Sequence, residues 1–223
     1  MPAVATKPST SIRLADLSRR YRRGRDPVEL VPNQGHWSEE EYLALDEGCL
    51  LEFTQGNIEV LPMPTATHQR LVSWLCGQMS SFVNSHRLGE VLFAPLPVRI
   101  DSAKYREPDI AFLANEHEEW DEDKFWDGAD LVVEVVSDDD PRRDLVQKRK
   151  EYARAGIAEY WIIQPRESVV SVLNLKVRSY QERQFKLGDV ATSQRLIGFR
   201  VSVSELFNAG RSPRARRKNG KSS

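Results

Sequence analysis

The most informative residue in this sequence is Glu134, a single carboxylate inside the apolar run LVVEVV at 131–136. A continuous apolar run of this length predicts a central strand that is buried on both faces. An ionised carboxylate in such a strand is costly unless a cation, a metal or a proton compensates its charge. Glu134 is therefore a candidate site residue. The alternative is a half-solvated glutamate at the strand end, or one paired with an arginine.

A second carboxylate, Asp109, follows Pro108 and begins the apolar segment Ile110-Ala111-Phe112-Leu113. An aspartate after proline at a strand start is often only a turn or cap residue. The pair Asp109 and Glu134 is more informative than either residue alone, because two carboxylates on neighbouring strands can hold Mg²⁺, which prefers oxygen ligands.

Lys148 is the third candidate, since the spacing of Asp144, Lys148 and Tyr152 places all three along one face of a helix. That face also carries apolar residues, so it is expected to contact the sheet near strand 131–136. The simpler interpretation, which the sequence alone favours, is an exposed ion pair between Asp144 and Lys148 that contributes only about 0.3–0.5 kcal/mol.

The elements that must position these residues follow from hydrophobic periodicity and capping signals. An Asp140-Pro141 start and Gly156 as the C′ residue delimit a helix over 141–155. A strand–helix–strand unit around 131–163 implies a right-handed parallel crossover, and hence an α/β or α+β fold with one mixed sheet flanked by helices. The other predicted helices are 39–46, 66–86 and 204–208; the other strands are 50–53, 57–61, 90–94, 98–100, 109–113, 160–163, 169–175, 177–181 and 185–187.

Composition limits the class of protein. The 223 residues are 40% hydrophobic and 29% charged, which excludes collagen-like, coiled-coil and wholly disordered chains. No apolar run approaches the roughly 18–20 residues of a membrane helix, and the N-terminus lacks the apolar segment of a signal peptide. Two cysteines are too few for a disulfide scaffold or a zinc site. We expect a soluble, reduced, cytoplasmic protein that does not interact with membranes.

Charge is distributed unevenly. Residues 1–27 carry seven basic and two acidic side chains, residues 211–223 carry six basic side chains and no acid, and residues 28–210 hold 19 basic against 31 acidic ones. We predict disordered basic tails at 1–35 and 209–223 around a domain at 36–208. Such tails either bind nucleic acid through phosphate contacts or serve only as solubilising extensions.

Several functions are excluded because their motifs are absent. The four histidines show no metal-binding spacing, and the sequence has no glycine-rich phosphate loop and no nucleophile elbow. Dinucleotide, ATP and hydrolase-triad functions are therefore set aside. The acidic segment 115–130 contains three aromatic residues, which are either anchors of a packed flap or a surface for contact with a partner.

Two segments resemble a known family: REPDIAFL at 106–113, and DLVVEVVSDDDPRRDLVQKRKEYARAGIAEYWIIQP at 130–165. They are similar to the Uma-two family of restriction-endonuclease-like proteins, in the PD-(D/E)XK nuclease superfamily. Upstream, LLEFTQGNIEVLPMPTATHQRL resembles the entry hairpin and histidine-led helix of that family. The resemblance covers about 36–180, is densest over 107–165 and excludes both tails. It departs from the family at Phe53-Thr54-Gln55-Gly56, in a turn.

The resemblance implies a PD-(D/E)XK fold and a set of site residues. Asp109 and Glu134 correspond to the two acidic positions, and with the Val135 carbonyl they would hold Mg²⁺ or Mn²⁺. The lysine expected at position 136 is replaced by Val136, and the family places it on the next helix, at Lys148. The resemblance gives supporting roles to Glu52, His68, Asp144 and Tyr152.

The function implied by the resemblance is Mg²⁺-dependent hydrolysis of DNA phosphodiester bonds by an endonuclease, with a homodimer suggested only by analogy. Two alternatives stay open: a nuclease-fold protein that binds nucleic acid without turnover, and a protein-interaction module that uses the acidic segment 115–130.

Overall fold

The computed structural model describes residues 34–45, 50–137 and 140–212. The predicted basic tails lie outside these ranges except for residues 34–35 and 209–212. The helices are α1 (Glu39–Leu43), α2 (Ala66–His86), a π-helical segment (Arg143–Lys148) that continues into α3 (Arg149–Ala155), and α4 (Val203–Gly210), with a 3₁₀ segment at Asn115–Trp120. The strands are β1 (Leu51–Thr54), β2 (Asn57–Val60), β3 (Gly89–Phe93), β4 (Val98–Asp101), β5 (Lys104–Arg106), β6 (Ile110–Ala114), β7 (Asp121–Glu122), β8 (Phe125–Trp126), β9 (Leu131–Val135), β10 (Glu159–Gln164), β11 (Val169–Lys176), β12 (Ser179–Phe185), β13 (Val190–Thr192) and β14 (Arg200–Ser202).

The main sheet has the strand order β12-β11-β10-β9-β6-β3. β9 runs parallel to β10 and antiparallel to β6, and the π-helical segment and α3 connect β9 to β10. The predicted central strand, the parallel crossover and the mixed α/β class are thereby confirmed. The prediction of a single sheet is wrong, because β2-β1-β5-β4-β8-β7 form a second sheet and β13-β14 a hairpin.

The two faces of β9 pack against different elements. Leu131, Val133 and Val135 join the core that α2 and α4 cover, whereas Val132 packs in a separate core that contains Tyr152 of α3. Side chains alternate between the faces of a strand, so Glu134 lies on the face of Val132. The alternation therefore directs Glu134 towards the helix that follows the strand.

The helix after β9 differs from the prediction in one segment. The helix covers 141–155 as predicted, but residues 143–148 within it are π-helical and regular α-helix resumes over Arg149–Ala155. The helix ends as predicted at Gly156, whose left-handed conformation (φ 84°) suits a glycine. π-Helical segments are rare and frequently occur at functional sites, and this one carries both Asp144 and Lys148.

The other predictions were mostly confirmed. Ser38 is the N-cap of α1 and forms the predicted capping box with Glu41. α2 has the predicted bounds. The strands predicted at 177–181 and 185–187 are wrong: they form the single strand β12, and Val177 lies in the preceding turn, 96% exposed. In the acidic segment, Trp126 is fully buried and Trp120 packs against the core, as expected of anchors. In the described ranges, no helix is long and apolar enough to cross a membrane.

Candidate active site

Asp109 lies immediately before β6, at the end of the main sheet where β9 finishes. Its Oδ2 atom accepts a hydrogen bond of 2.7 Å from the Val135 backbone N–H and lies 3.1 Å from His68 Nε2. Both contacts involve the same carboxylate oxygen. Because β6 and β9 are antiparallel neighbours, the start of one strand meets the end of the other, which brings Asp109 to Val135.

Glu134 is buried and bound from the helical face of the sheet. Its Oε1 atom accepts hydrogen bonds from Lys148 Nζ at 2.7 Å and from the Tyr152 hydroxyl at 2.6 Å. Burial raises the pKa of Glu134 to about 8, although the Lys148 ammonium opposes this shift. A buried carboxylate requires a partner, and a lysine and a tyrosine fill this role for Glu134.

Lys148 is 3% exposed, so the exposed ion pair that the sequence alone favoured is wrong. The ammonium lies 2.7 Å from Glu134, 3.2 Å from Glu52 and 3.6 Å from Asp144. Burial disfavours its charge, but the three carboxylates outweigh burial and raise the pKa of Lys148 well above its ordinary value. Lys148 is therefore a buried cation that three carboxylates stabilise.

Glu52 comes from β1 in the second sheet and is 1% exposed. Its Oε2 atom pairs with Arg143 and, at 3.3 Å, with Arg106, whereas its Oε1 atom faces Lys148. Burial disfavours ionisation, but the surrounding cations outweigh it and lower the pKa of Glu52. Glu52 is therefore an ionised carboxylate enclosed by cations.

His68 and Asp144 complete the set of predicted side chains. His68 lies in the first turn of α2, whose N-cap is Thr65, and its Nδ1 atom is buried with no hydrogen-bond partner among the described residues. Burial disfavours its charge, but the contact with Asp109 outweighs burial and raises the pKa of His68. Burial also raises the pKa of Asp144. Five of the seven predicted side chains are linked by hydrogen bonds or ion pairs around Lys148, and the Asp109–His68 pair lines the same cavity: the five are Glu52, Glu134, Asp144, Lys148 and Tyr152.

Two arginines and a glutamate beside these residues were not predicted from the sequence. Arg106 is 3% exposed and donates to Glu151 from Nε at 2.8 Å and from Nη2 at 3.1 Å. Arg143 bridges Glu52 and Glu59. Burial disfavours ionisation of Glu151, but hydrogen bonds from Arg106 and Lys104 outweigh it and lower the pKa to about 2. The only sequence signal was the basic character of segment 142–150.

A cavity of about 610 Å³ opens beside these residues. Its wall includes Asp109, Glu134 and Lys148 together with segment 61–65, Val135 and Arg166. Glu52 is not part of this wall and lies behind Lys148 and Arg143.

Asp109 and Glu134 could hold a divalent cation through oxygens that no hydrogen bond from the described residues occupies. The hydrogen bonds to Asp109 reach only Oδ2, and those to Glu134 reach only Oε1. Each carboxylate therefore has a second oxygen that these bonds do not use, and both residues line the same cavity. Hard cations such as Mg²⁺ prefer oxygen donors of this kind.

A different group of potential metal ligands lies at the opposite end of the β6–β9 pair. Within the described ranges, Glu116, His117 and Asp130 form the one group of three such side chains whose ligand atoms lie within 4.8 Å of one another. Arg195 pairs with both acidic residues, at 2.8 Å from Asp130 and in contact with Glu116. An arginine thus already compensates the charge of this group.

Sequence comparison decides the family. The Uma2 family, described as putative restriction endonuclease, matches residues 39–204. The chain belongs to the Uma2 family. Among curated proteins, none has a significantly similar sequence. The crystal structure of a putative nuclease from Anabaena variabilis is similar to this Uma2 chain, with a TM-score of 0.65 and 19% identity. The match covers 77% of this chain and 98% of the Anabaena protein.

The family match and the fold agree. The Uma2 match spans all the site residues, from Glu52 to Tyr152, and the Anabaena protein shares the fold. The protein is accordingly nuclease-like in family and fold, and a nuclease implies a nucleic acid as substrate.

Proposed function

We propose that the protein is an Mg²⁺-dependent endonuclease that hydrolyses DNA phosphodiester bonds at the site formed by Asp109, Glu134 and Lys148. One observation carries the proposal: two carboxylates each leave one oxygen unused beside a single cavity, and a buried ammonium contacts one of them. This combination suits phosphoryl chemistry, which depends on positioning and charge stabilisation.

A divalent cation held by Asp109, Glu134 and the Val135 carbonyl, with Mn²⁺ able to replace Mg²⁺, would polarise the scissile phosphate and lower the pKa of a bound water. The protein supplies the rest. The Val135 N–H and His68 hold Asp109 in orientation, and Tyr152 holds Glu134. Lys148 lines the cavity and carries a positive charge, which stabilises the additional negative charge of the phosphate in the transition state. Water attacks the phosphorus, the bond between phosphorus and the 3′ oxygen breaks, and the products are a 3′-hydroxyl and a 5′-phosphate.

The wall of the cavity offers further cations to a polyanionic substrate. Arg143 and Arg166 line it beside Lys148. We propose that the basic segments 1–27 and 211–223 add sequence-independent phosphate contacts, which would offset the acidic charge of residues 28–210. The domain division at 36–208, the homodimer and the cytoplasmic location stay predictions.

The decisive experiment is nicking of supercoiled plasmid DNA by the purified full chain with Mg²⁺, Mn²⁺ or EDTA. Asp109→Asn, Glu134→Gln and Lys148→Met are compared with the wild type, and Lys150→Met is the matched control because Lys150 is exposed on the same helix. We expect metal-dependent nicking that falls about 100-fold or more in the three site variants and stays unchanged in the control.

The outcomes separate the hypotheses. Nicking that survives Lys148→Met but not Glu134→Gln would keep the nuclease and remove the role of the lysine. If the wild type nicks no plasmid with either metal but retains DNA in a gel-shift assay, the protein is a nucleic-acid-binding module without turnover. Cleavage of single-stranded RNA in preference to plasmid would replace DNA as the substrate.

A further inference from the structure

Glu52 has a carboxylate oxygen that lies within ion-pair distance of Lys148 but accepts no hydrogen bond among the described residues. Its Oε1 atom is buried and accepts no hydrogen bond from any described residue. Lys148 Nζ lies only 3.2 Å from this atom, but the hydrogen bond of the ammonium goes to Glu134 at 2.7 Å. Buried polar atoms without a partner are rare and call for an explanation.

The proposed function creates a conflict at Lys148 that this atom resolves. Glu134 is proposed as a ligand of a divalent cation, yet it is also the hydrogen-bond acceptor of Lys148. A divalent cation on the second oxygen of Glu134 would repel the ammonium that Oε1 holds, and the two cations would share the charge of one carboxylate. Lys148 is only 3% exposed, so little water solvates its ammonium, which needs another anion within reach.

Glu52 is placed to be that anion. Arg143 and Arg106 hold its Oε2 atom, which fixes the carboxylate and leaves Oε1 facing the ammonium. The other carboxylate near Lys148, that of Asp144, is farther away at 3.6 Å and lines the cavity itself. Glu52 lies outside the cavity wall, so it holds the ammonium without being a ligand.

We propose that Glu52 is a positioning residue that takes over the Lys148 ammonium when Glu134 binds the metal. This inference rests on the proposed function, because it requires a cation at Asp109 and Glu134. Glu52 thereby allows one buried site to hold a divalent cation and a lysine at the same time. Residues that orient a metal site from behind typically contribute about 10- to 100-fold to metal affinity or activity.

The test is a calorimetric titration of the full chain with Mn²⁺, which gives a readout independent of turnover. In Glu52→Gln only the more distant Asp144, at 3.6 Å, is left besides Glu134, so the ammonium stays on Glu134 and we expect Mn²⁺ to bind about tenfold more weakly or worse. Glu59→Gln is the matched control. Glu59 pairs with Glu52 across the β1–β2 ladder and also binds Arg143, but it does not contact Lys148. We expect unchanged Mn²⁺ affinity in this control.

A second variant distinguishes a folding defect from the loss of the contact with Lys148. Glu52→Asp keeps the charge for Arg106 and Arg143 but withdraws the carboxylate from Lys148, and it is expected to weaken Mn²⁺ binding in the same direction. In plasmid nicking, both Glu52 variants should lower kcat and leave the KM for DNA unchanged. A structural defect alone would instead lower the fraction of active protein and with it the Mn²⁺ stoichiometry.

The outcomes distinguish the two proposals. If the wild type binds Mn²⁺ and nicks DNA, but both Glu52 variants bind Mn²⁺ as tightly as Glu59→Gln does, the role of Glu52 is refuted and the nuclease stands. The wild type could also bind no Mn²⁺, or bind Mn²⁺ that Asp109→Asn does not remove. Either result would refute the metal site, and the role of Glu52 would be refuted with it.

Discussion

Replacement of Lys148 by methionine tests the electrostatics of the site without any assumption about the substrate. Methionine keeps the length and apolar stem of the side chain but leaves Glu134 buried without its cation. Removal of one partner of a buried ion pair costs about 3–5 kcal/mol. At pH 8, keeping Glu134 protonated against an ordinary pKa of 4.5 costs at most about 5 kcal/mol, at 1.36 kcal/mol for each pH unit.

The assay is urea unfolding of the full chain, followed by tryptophan fluorescence at pH 8 and pH 5. We expect Lys148→Met to lower the free energy of unfolding by about 3–5 kcal/mol at pH 8. Lys150→Met, on the exposed side of the same helix, should change it by less than about 0.5 kcal/mol.

The double variant Lys148→Met/Glu134→Gln provides the sharper test. A neutral amide needs no proton, so this variant should be more stable than Lys148→Met by several kcal/mol at pH 8. Because the pKa of Glu134 is raised in the folded protein, the free-energy cost of keeping its carboxyl protonated grows as the pH rises above 4.5. At pH 5 this cost is nearly absent. This account of the buried pair would be refuted if the double variant exceeded Lys148→Met in stability by the same amount at pH 8 and at pH 5. It would also be refuted if Lys148→Met were as stable as the wild type.

Three further predictions concern the fold around the site. Gly89→Ala places a Cβ 2.0 Å from a carbonyl oxygen of β6, so unfolding experiments should show a loss of about 2–4 kcal/mol, whereas Gly77→Ala on α2 meets no atom within 4 Å and should stabilise the chain by about 0.5–1 kcal/mol. The pKa of Glu151 is lowered to about 2, so its ion pairs stabilise the fold fully above its ordinary pKa of 4.5 and are lost as the pH falls towards 2. Glu151→Gln should therefore remove up to about 3 kcal/mol of the pH dependence of stability, measured by thermal melts over this pH range. Tyr152→Phe removes a 2.6 Å hydrogen bond to the buried site carboxylate and should cost about 1–3 kcal/mol in urea unfolding.

The sequence contained the parts of the site that depend on local periodicity. Alternation along β9 places Glu134 on the face of Val132, and helical spacing groups Asp144, Lys148 and Tyr152. These two patterns, together with the parallel crossover, are sufficient to bring a carboxylate and a lysine together. They could not show that the lysine is buried, because burial depends on what the second sheet contributes.

The missing information is non-local. Glu52 and Arg143 are 91 residues apart in the chain, and no periodicity links them. Arg106 reads as an ordinary basic residue in a short strand, yet it is buried between Glu52 and Glu151. The π-helical segment also has no recognisable sequence signal. Val177 misled the strand prediction because an apolar residue occupies an exposed turn with φ of 58°.

The same hydrogen-bond arrangement occurs at both ends of the β6–β9 pair. Asp109 precedes β6 and accepts the Val135 N–H, and Asp130 precedes β9 and accepts the Ala114 N–H at 2.8 Å. Each aspartate also contacts a histidine at 3.1 Å. An aspartate held in this way is therefore a feature of the strand pair and does not by itself indicate a metal site.

What separates the two ends is the second carboxylate oxygen. At Asp130, Oδ1 accepts hydrogen bonds from Arg195 at 3.0 and 2.8 Å, so the guanidinium occupies the position that a metal ion would take. At Asp109, Oδ1 accepts no hydrogen bond from a described residue and the side chain lines the cavity. We therefore expect Asp109→Asn to abolish the tightest Mn²⁺ binding in calorimetry and Glu116→Gln to leave it intact. The reverse result would move the metal to the Asp130 end, and the cavity beside Glu134 would then need another ligand.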